Sequence, residues 1–200
     1  PYWKGFKYES YFNSYLQYLK WCKKWISKLK LKLDDDGFFL LNIANDSETT
    51  IKAYELLDIC IEVGFKLHDT IIWYKSNNQQ ISSNRQLANR YEFIFMLRHH
   101  SNEVHINKEG IIDKYPEVFD NLKIVGNLWK IPFQINKKSK LKKMLKSKKN
   151  HSGFPPKLCE LVVDLFSGED DLVLDPFCGN FLLEKICEDK NRKIIGIDLN

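Results

Sequence analysis

The residue types best suited to chemistry lie near the end of the chain, in Asp171-Leu-Val-Leu-Asp175-Pro-Phe-Cys-Gly179-Asn and Lys193-Ile-Ile-Gly-Ile-Asp198. A carboxylate accepts hydrogen bonds from hydroxyl groups, and a glycine turn lets a ligand come up against bare main chain. Asp198 follows Gly179 by 19 positions, close to the ~20 residues that separate the glycine turn from the ribose-binding acid in nucleoside-binding βαβ units. An ordinary βαβ unit with a surface acid gives the same pattern. After Gly179 come Asn180, Phe181, Leu182, Leu183 and Glu184, so the three-glycine dinucleotide frame is missing, and no Gly-Lys-Ser/Thr is present to cradle a phosphate. An adenosine ligand without a pyrophosphate fits better, and S-adenosylmethionine is such a ligand.

Such residues need a strand, a turn, a helix and a second strand to position them. Leu172 to Leu174 and Ile194 to Ile197 are short apolar runs that read as buried strands. Asp175-Pro176 stops the first, and Gly179-Asn180 is a turn signal. Leu182 to Glu188 reads as a helix with Leu182, Leu183 and Ile186 on one side. Upstream, Phe38 to Ile43, Leu67 to Tyr74 and Glu92 to Leu97 read as strands, the last two forming a wide hairpin. Helices are expected over most of Tyr11 to Leu31, Thr49 to Val63 and Pro156 to Phe166. Asn45-Asp46-Ser47 offers caps to the second of these, and Gly64 closes it. Periodicity fades from 99 to 150, which suits a binding loop or an inserted recognition region. The sum is an α/β chain.

Two hundred residues suit one domain, 1–200, and a 44% hydrophobic content supplies a core. The net charge of +5 permits nucleic-acid binding without requiring it. Cys22, Cys60, Cys159, Cys178 and Cys187 are odd in number and never spaced as CxxC, so reduced thiols are expected. No apolar run reaches the ~18 residues of a membrane span, and no signal-peptide pattern opens the chain, so the expected location is the cytoplasm. His68, His99, His100 and His105 lack metal-ligand spacing, and no metal is expected. Lys137 to Lys149 holds eight lysines in thirteen residues and no acid. Alone, that run reads as a solvated basic stretch or as a phosphate-contacting segment.

Several segments then fall into a recognisable order. Pro1-Tyr2-Trp3 resembles the tail of the (Ser/Asp/Asn)-Pro-Pro-Tyr motif of DNA amino-methyltransferases. Gly126-Asn-Leu-Trp-Lys-Ile-Pro132 resembles their Asp-Val-Trp-x-Ile-Pro segment. His151 to Pro156 resembles their His…Phe-Pro segment, and Asp175-Pro-Phe-Cys-Gly179 their Asp-Pro-Phe-x-Gly-x-Gly. With the catalytic motif first and the cofactor motif last, the chain is similar to the beta group of site-specific, restriction-modification N6-adenine and N4-cytosine methyltransferases. The resemblance implies a Rossmann-like S-adenosylmethionine-dependent methyltransferase fold in permuted order. It implies an enzyme acting on the exocyclic amine of a base taken out of double-stranded DNA. Pro1 would supply a backbone carbonyl to the amine and Tyr2 a face for the base. S-adenosylmethionine would lie at Asp175, Phe177 and Gly179, with Asp198 on the ribose and Phe154 and Pro155 lining the methionine end. A restriction endonuclease of the same system is the implied companion.

Beside a nucleotide-modifying site the basic run gains a role. Lys142, Lys143, Lys146 and Lys148 are expected on DNA phosphates, and Arg85, within the amide-rich stretch 77–90, on base edges. Two departures from the family pattern stand out. The first half of the catalytic motif and the strand leading into it do not appear, which reads as a truncated chain with an incomplete sheet. Phe181 stands where the family has its second glycine, where a phenyl ring should obstruct methionine or require a shifted backbone. Asn42 and Asp46 are lesser candidates, facing the cofactor or capping the next helix. The alternatives are an RNA or protein methyltransferase of the same fold and a degenerate, non-catalytic remnant.

Overall fold

The computed structural model describes residues 12–45, 51–77, 87–99, 104–133, 154–179 and 181–198. The chain divides into two compact units. One comprises Pro1–Tyr74, Gln79–Ile106 and Ile124–Trp129, the other Lys75–Asn78, Asn107–Lys123 and Lys130–Asn200.

In the first unit α1 (Tyr15–Lys30) begins at Ser14, whose Oγ accepts from the Gln17 N–H, while Gln17 Oε1 accepts from the Asn13 N–H. These two bonds satisfy main-chain donors that the first turn leaves open. They set the helix start at Tyr15, later than the Tyr11 that periodicity suggested. Its apolar face carries Tyr18, Cys22 and Ile26. Next come β1 (Phe39–Ile43), α2 (Lys52–Glu62), β2 (Lys66–Tyr74) and β3 (Tyr91–Arg98). α2 starts later than Thr49. Its cap position, Ile51, makes no side-chain bond, and Asn45 Oδ1 accepts from the Ala53 N–H at 2.8 Å instead. Gly64, at φ +98, closes α2: the Gly64 N–H bonds to Ile61 O and the Phe65 N–H to Cys60 O, satisfying carbonyls of the last turn.

β3 pairs antiparallel with β1 and β2, and the short β4 (Leu128–Lys130) lies beyond β2, giving the order β1-β3-β2-β4. The expected wide hairpin is therefore present. α1 and α2 bury Cys22, Ile26, Leu56 and Cys60 together with Phe39, Leu41, Phe93 and Phe95 of the sheet. The histidines are structural: the His68 ring packs edge-on against Phe38, and His99 Nε2 lies 3.0 Å from Leu33 O. His100 lies outside the described residues.

In the second unit, α3 (Ile111–Lys114) and a 3-10 turn (Pro116–Phe119) occupy part of the stretch where periodicity had faded. α4 (Pro156–Phe166), β5 (Leu172–Asp175), α5 (Leu182–Asp189) and β6 (Lys193–Gly196) follow. β5 and β6 are parallel neighbours, Leu172 opposite Lys193 and Asp175 opposite Gly196. Cys159 and Val163 of α4 pack with Ile186 and Cys187 of α5, over Val173 and Ile194 of the two strands. All five cysteines are free and buried, and burial pushes the Cys60 and Cys159 thiols up to about 12.

Asp164 ties this unit together. Its carboxylate accepts from Lys114 Nζ at 2.7 Å, the Tyr115 hydroxyl at 2.6 Å and Lys190 Nζ at 2.5 Å. Burial alone would raise the Asp164 carboxyl, but these donors outweigh it and hold the group below the usual carboxylate range. A depressed folded-state pKa contributes stability that is present above the unfolded value and lost as pH falls through the folded one. Asp164→Asn should therefore cost about 2 kcal/mol at neutral pH. Thermal melts of the wild type and the variant should converge below about pH 4.

Candidate nucleoside site

The segment after β5 is stitched to the end of β6 by backbone bonds. The Ile197 N–H donates to Asp175 O at 2.9 Å, and the Cys178 N–H to Ile197 O at 3.1 Å. Asp175 Oδ1 accepts from the Phe177 N–H at 3.0 Å, an Asx turn that bends the chain directly after the strand. Asp198 Oδ2 accepts from the Gly179 N–H at 2.9 Å, across 19 residues. The turn and the acid picked out by spacing are thus in contact, at the carboxyl ends of two parallel strands, where open α/β sheets bind ligands.

Each residue there has a local reason. Gly179 has φ +53, and the nearest atom to a built Cβ is 3.9 Å away, so its face is open and its conformation favours glycine. A Cβ on Gly196 would stand 3.1 Å from Cys178 Sγ, so glycine there lets the buried cysteine cross the strand. Burial raises the Asp175 carboxyl above its ordinary range, and nearby Asp198 adds to this against the Phe177 N–H. Two neighbouring carboxylates repel phosphate. They suit hydroxyl donors and a cation.

Asp175, Phe177, Gly179 and Asp198 are therefore brought together. Asp198 already holds the loop, but a carboxylate has about four lone-pair sites and can accept further bonds. Phe177 is exposed. Phe154, exposed, and Pro155, buried, stand at the start of α4 in the same unit. Phe181 keeps the glycine-like backbone, at φ +57 and ψ 24, with its half-exposed ring 3.8 Å from a Cβ built on Gly196. The expected backbone shift does not occur. A bulky residue in this region stores about 1–2 kcal/mol of strain. Asn42 neither caps α2 nor stands open: its Nδ2 donates to Phe93 O at 3.1 Å. Pro1, Tyr2, Asp46, Arg85, Lys142, Lys143, Lys146 and Lys148 lie outside the described residues.

Sequence reasoning missed a pocket of about 300 Å³ in the first unit, lined by Asn45, Leu87, Ala88, Asn89, Tyr91 and Phe93. Asn89 Nδ2 donates to Asn45 O at 2.8 Å, so a bond 44 residues long in sequence shapes its wall. Among the described residues no group of three or more His, Cys, Asp or Glu side chains could hold a metal.

Residues 1–200 match the DNA methylase family of N6 and N4 methyltransferases. The chain belongs to that family. It is 27% identical over 194 residues to type II methyltransferase M.HpaI of Haemophilus parainfluenzae, covering 94% of this chain and 57% of the relative. It is 31% identical over 161 residues to orphan methyltransferase M.BamHII of Bacillus amyloliquefaciens, covering 70% and 60%. The chain thus spans less than two thirds of these curated relatives. Among solved structures, the cytosine-N4-specific PvuII DNA methyltransferase superposes with a TM-score of 0.70 at 19% identity, over 92% of this chain and 67% of that one. M1.HpyAVI in its SAM complex superposes with a TM-score of 0.62 at 20% identity, over 89% and 76%. The fold is accordingly the Rossmann-like methyltransferase fold.

Gly196→Ala should destabilise the protein by about 1–2 kcal/mol through overpacking against Cys178. Gly196→Ala combined with Cys178→Ala should recover most of what Gly196→Ala loses relative to Cys178→Ala alone, read as a double-mutant cycle in denaturant melts.

Proposed function

We propose that this chain forms the core of a site-specific DNA methyltransferase. It would move a methyl group from S-adenosylmethionine to the exocyclic amine of adenine (N6) or cytosine (N4) in an extruded base. The observation that carries the reading is the contact between Gly179 and Asp198 at the carboxyl ends of β5 and β6. It places an acid able to take ribose hydroxyls beside an open glycine turn, in a chain of the DNA methylase family.

The donor set fits the nucleoside end of the cofactor. Asp198 would accept from the ribose, the Asp175–Gly179 turn would offer main chain, and Phe177 an aromatic edge. When bound, the cofactor supplies a methyl group on a positively charged sulfur, which the paired carboxylates favour. Phe154 and Pro155 would line the methionine end, where the Phe181 ring narrows the space. Pro1 would accept from the amine and Tyr2 would stack on the base, holding donor and acceptor in line. The pocket walled by Tyr91 and Phe93 has the aromatic lining and the size to receive a ring. The recognition insert would lie at about 99–150, within a single methyltransferase domain.

Asp198→Ala should weaken S-adenosylmethionine binding in calorimetry by about tenfold or more, and Glu169→Ala, an exposed carboxylate, should leave it unchanged. Equal effects would count against the site. Phe181 favours a second reading, a DNA-binding relative that has lost its cofactor. Phe181→Gly separates the two: tighter cofactor binding supports the enzyme with a narrowed site, and no binding by either form supports the remnant.

DNA contact would rest on the lysine run. Each phosphate neutralised adds about 0.9 to the slope of log affinity against log salt. Changing Lys142, Lys143, Lys146 and Lys148 to glutamine should lower that slope by about 2–4, leaving the preferred sequence unchanged. An unaltered slope would remove the run from the interface.

A further inference from the structure

Asn77 makes a contact that the nucleoside site does not use. Its Nδ2 donates to Phe133 O at 2.9 Å and its Oδ1 accepts from the Phe133 N–H at 2.7 Å. One side-chain amide thus satisfies both main-chain groups of a residue 56 positions away, as a neighbouring strand would. Lys75 Nζ adds a cation–π contact, 5.4 Å from the centre of the Phe133 ring. Asn77 lies three residues past the end of β2 and Phe133 three past the end of β4. Asn77 is exposed, and an exposed amide held by two good bonds gives a fixed junction at a point where both strands have stopped.

The segments leading away from this junction differ in chemistry. After Asn77 come Asn78, Gln79, Gln80, Asn84, Arg85 and Gln86, groups suited to base edges. After Phe133 comes the lysine run that begins at Lys137, suited to phosphates. Covalent reach sets limits whatever path the chain takes. Lys137 is four residues from Phe133, at most ~14 Å, and Arg85 is eight from Asn77, at most ~29 Å. Both lie within one turn of duplex, ~34 Å, of the same root.

We propose that Asn77 is a positioning residue for DNA recognition. By clamping Phe133 it roots the amide-rich and lysine-rich segments at one point, so that base reading and phosphate contact fall on the same turn of duplex. This rests on the DNA-methyltransferase reading above. Without the clamp each segment keeps its own chemistry, but the register between them is lost. General affinity should survive, and discrimination should not.

The test uses short duplexes with a randomised centre, from which the wild-type protein selects its preferred sequence. Affinities for the selected duplex and for the random pool are then compared. Asn77→Ala should reduce the ratio by about tenfold, the scale of one or two misread base pairs, with random-pool affinity within about twofold. Asn77→Asp keeps the acceptor for the Phe133 N–H but sets a second oxygen against the Phe133 carbonyl, and should lose the ratio as fully. An unchanged ratio in both variants overturns the clamp's role, even if melting temperature and both affinities fall together, since that is the signature of a merely structural bond. A wild-type protein that shows no duplex binding or no preference overturns the DNA reading itself, and the clamp's role with it.

Discussion

The hydrogen bond from the Gly179 N–H to the Asp198 carboxylate joins the two ends of a strand–helix–strand unit. Much else in the second unit depends on it. The Asp175 turn must bend the chain back at once, Gly196 must leave room for Cys178, and α5 must start at Phe181. The acid that marks the end of β6 is therefore also the latch on the loop after β5. A ligand that bonds to Asp198 meets a turn already set in place, so little ordering remains to oppose binding.

Charge is divided along the same lines. Asp175 and Asp198 make the turn anionic, and burial keeps the Asp175 carboxyl raised above its ordinary range. The lysines are concentrated elsewhere in the sequence, between 137 and 149. A nucleoside carrying a cationic sulfur and a polyphosphate backbone ask for opposite fields, and this chain supplies them from separate segments. Phe181 departs from that economy. It retains a left-handed backbone that glycine would adopt without strain, and sets a ring beside the turn.

The sequence made β5 and β6 legible because each is a short apolar run bounded by acids and turn residues, and their parallel pairing followed. α1 and α4 were legible through apolar spacing. The start of α2 was displaced because its first free N–H groups are met by Asn45 across the loop, and no rule based on neighbouring residues anticipates that bond. β4 escaped because three residues, Leu128 to Lys130, carry too little pattern to count. The Asp164 cluster and the Asn77 clamp escaped for another reason. Their partners are 26 to 56 residues away, so local spacing holds no trace of them. Spacing did locate the nucleoside site, since Gly179 and Asp198 are linked by one regular βαβ unit of fixed length.

The central claim is that the Asp175–Gly179 turn and Asp198 form a nucleoside site. Titration of ¹⁵N-labelled protein with S-adenosylhomocysteine, followed at the backbone amides, tests it most directly. Saturable shifts at Phe177, Cys178, Gly179 and Asp198, with Glu169 unmoved, are the predicted result. Saturable shifts confined to other residues, or none at all at millimolar ligand, would contradict it.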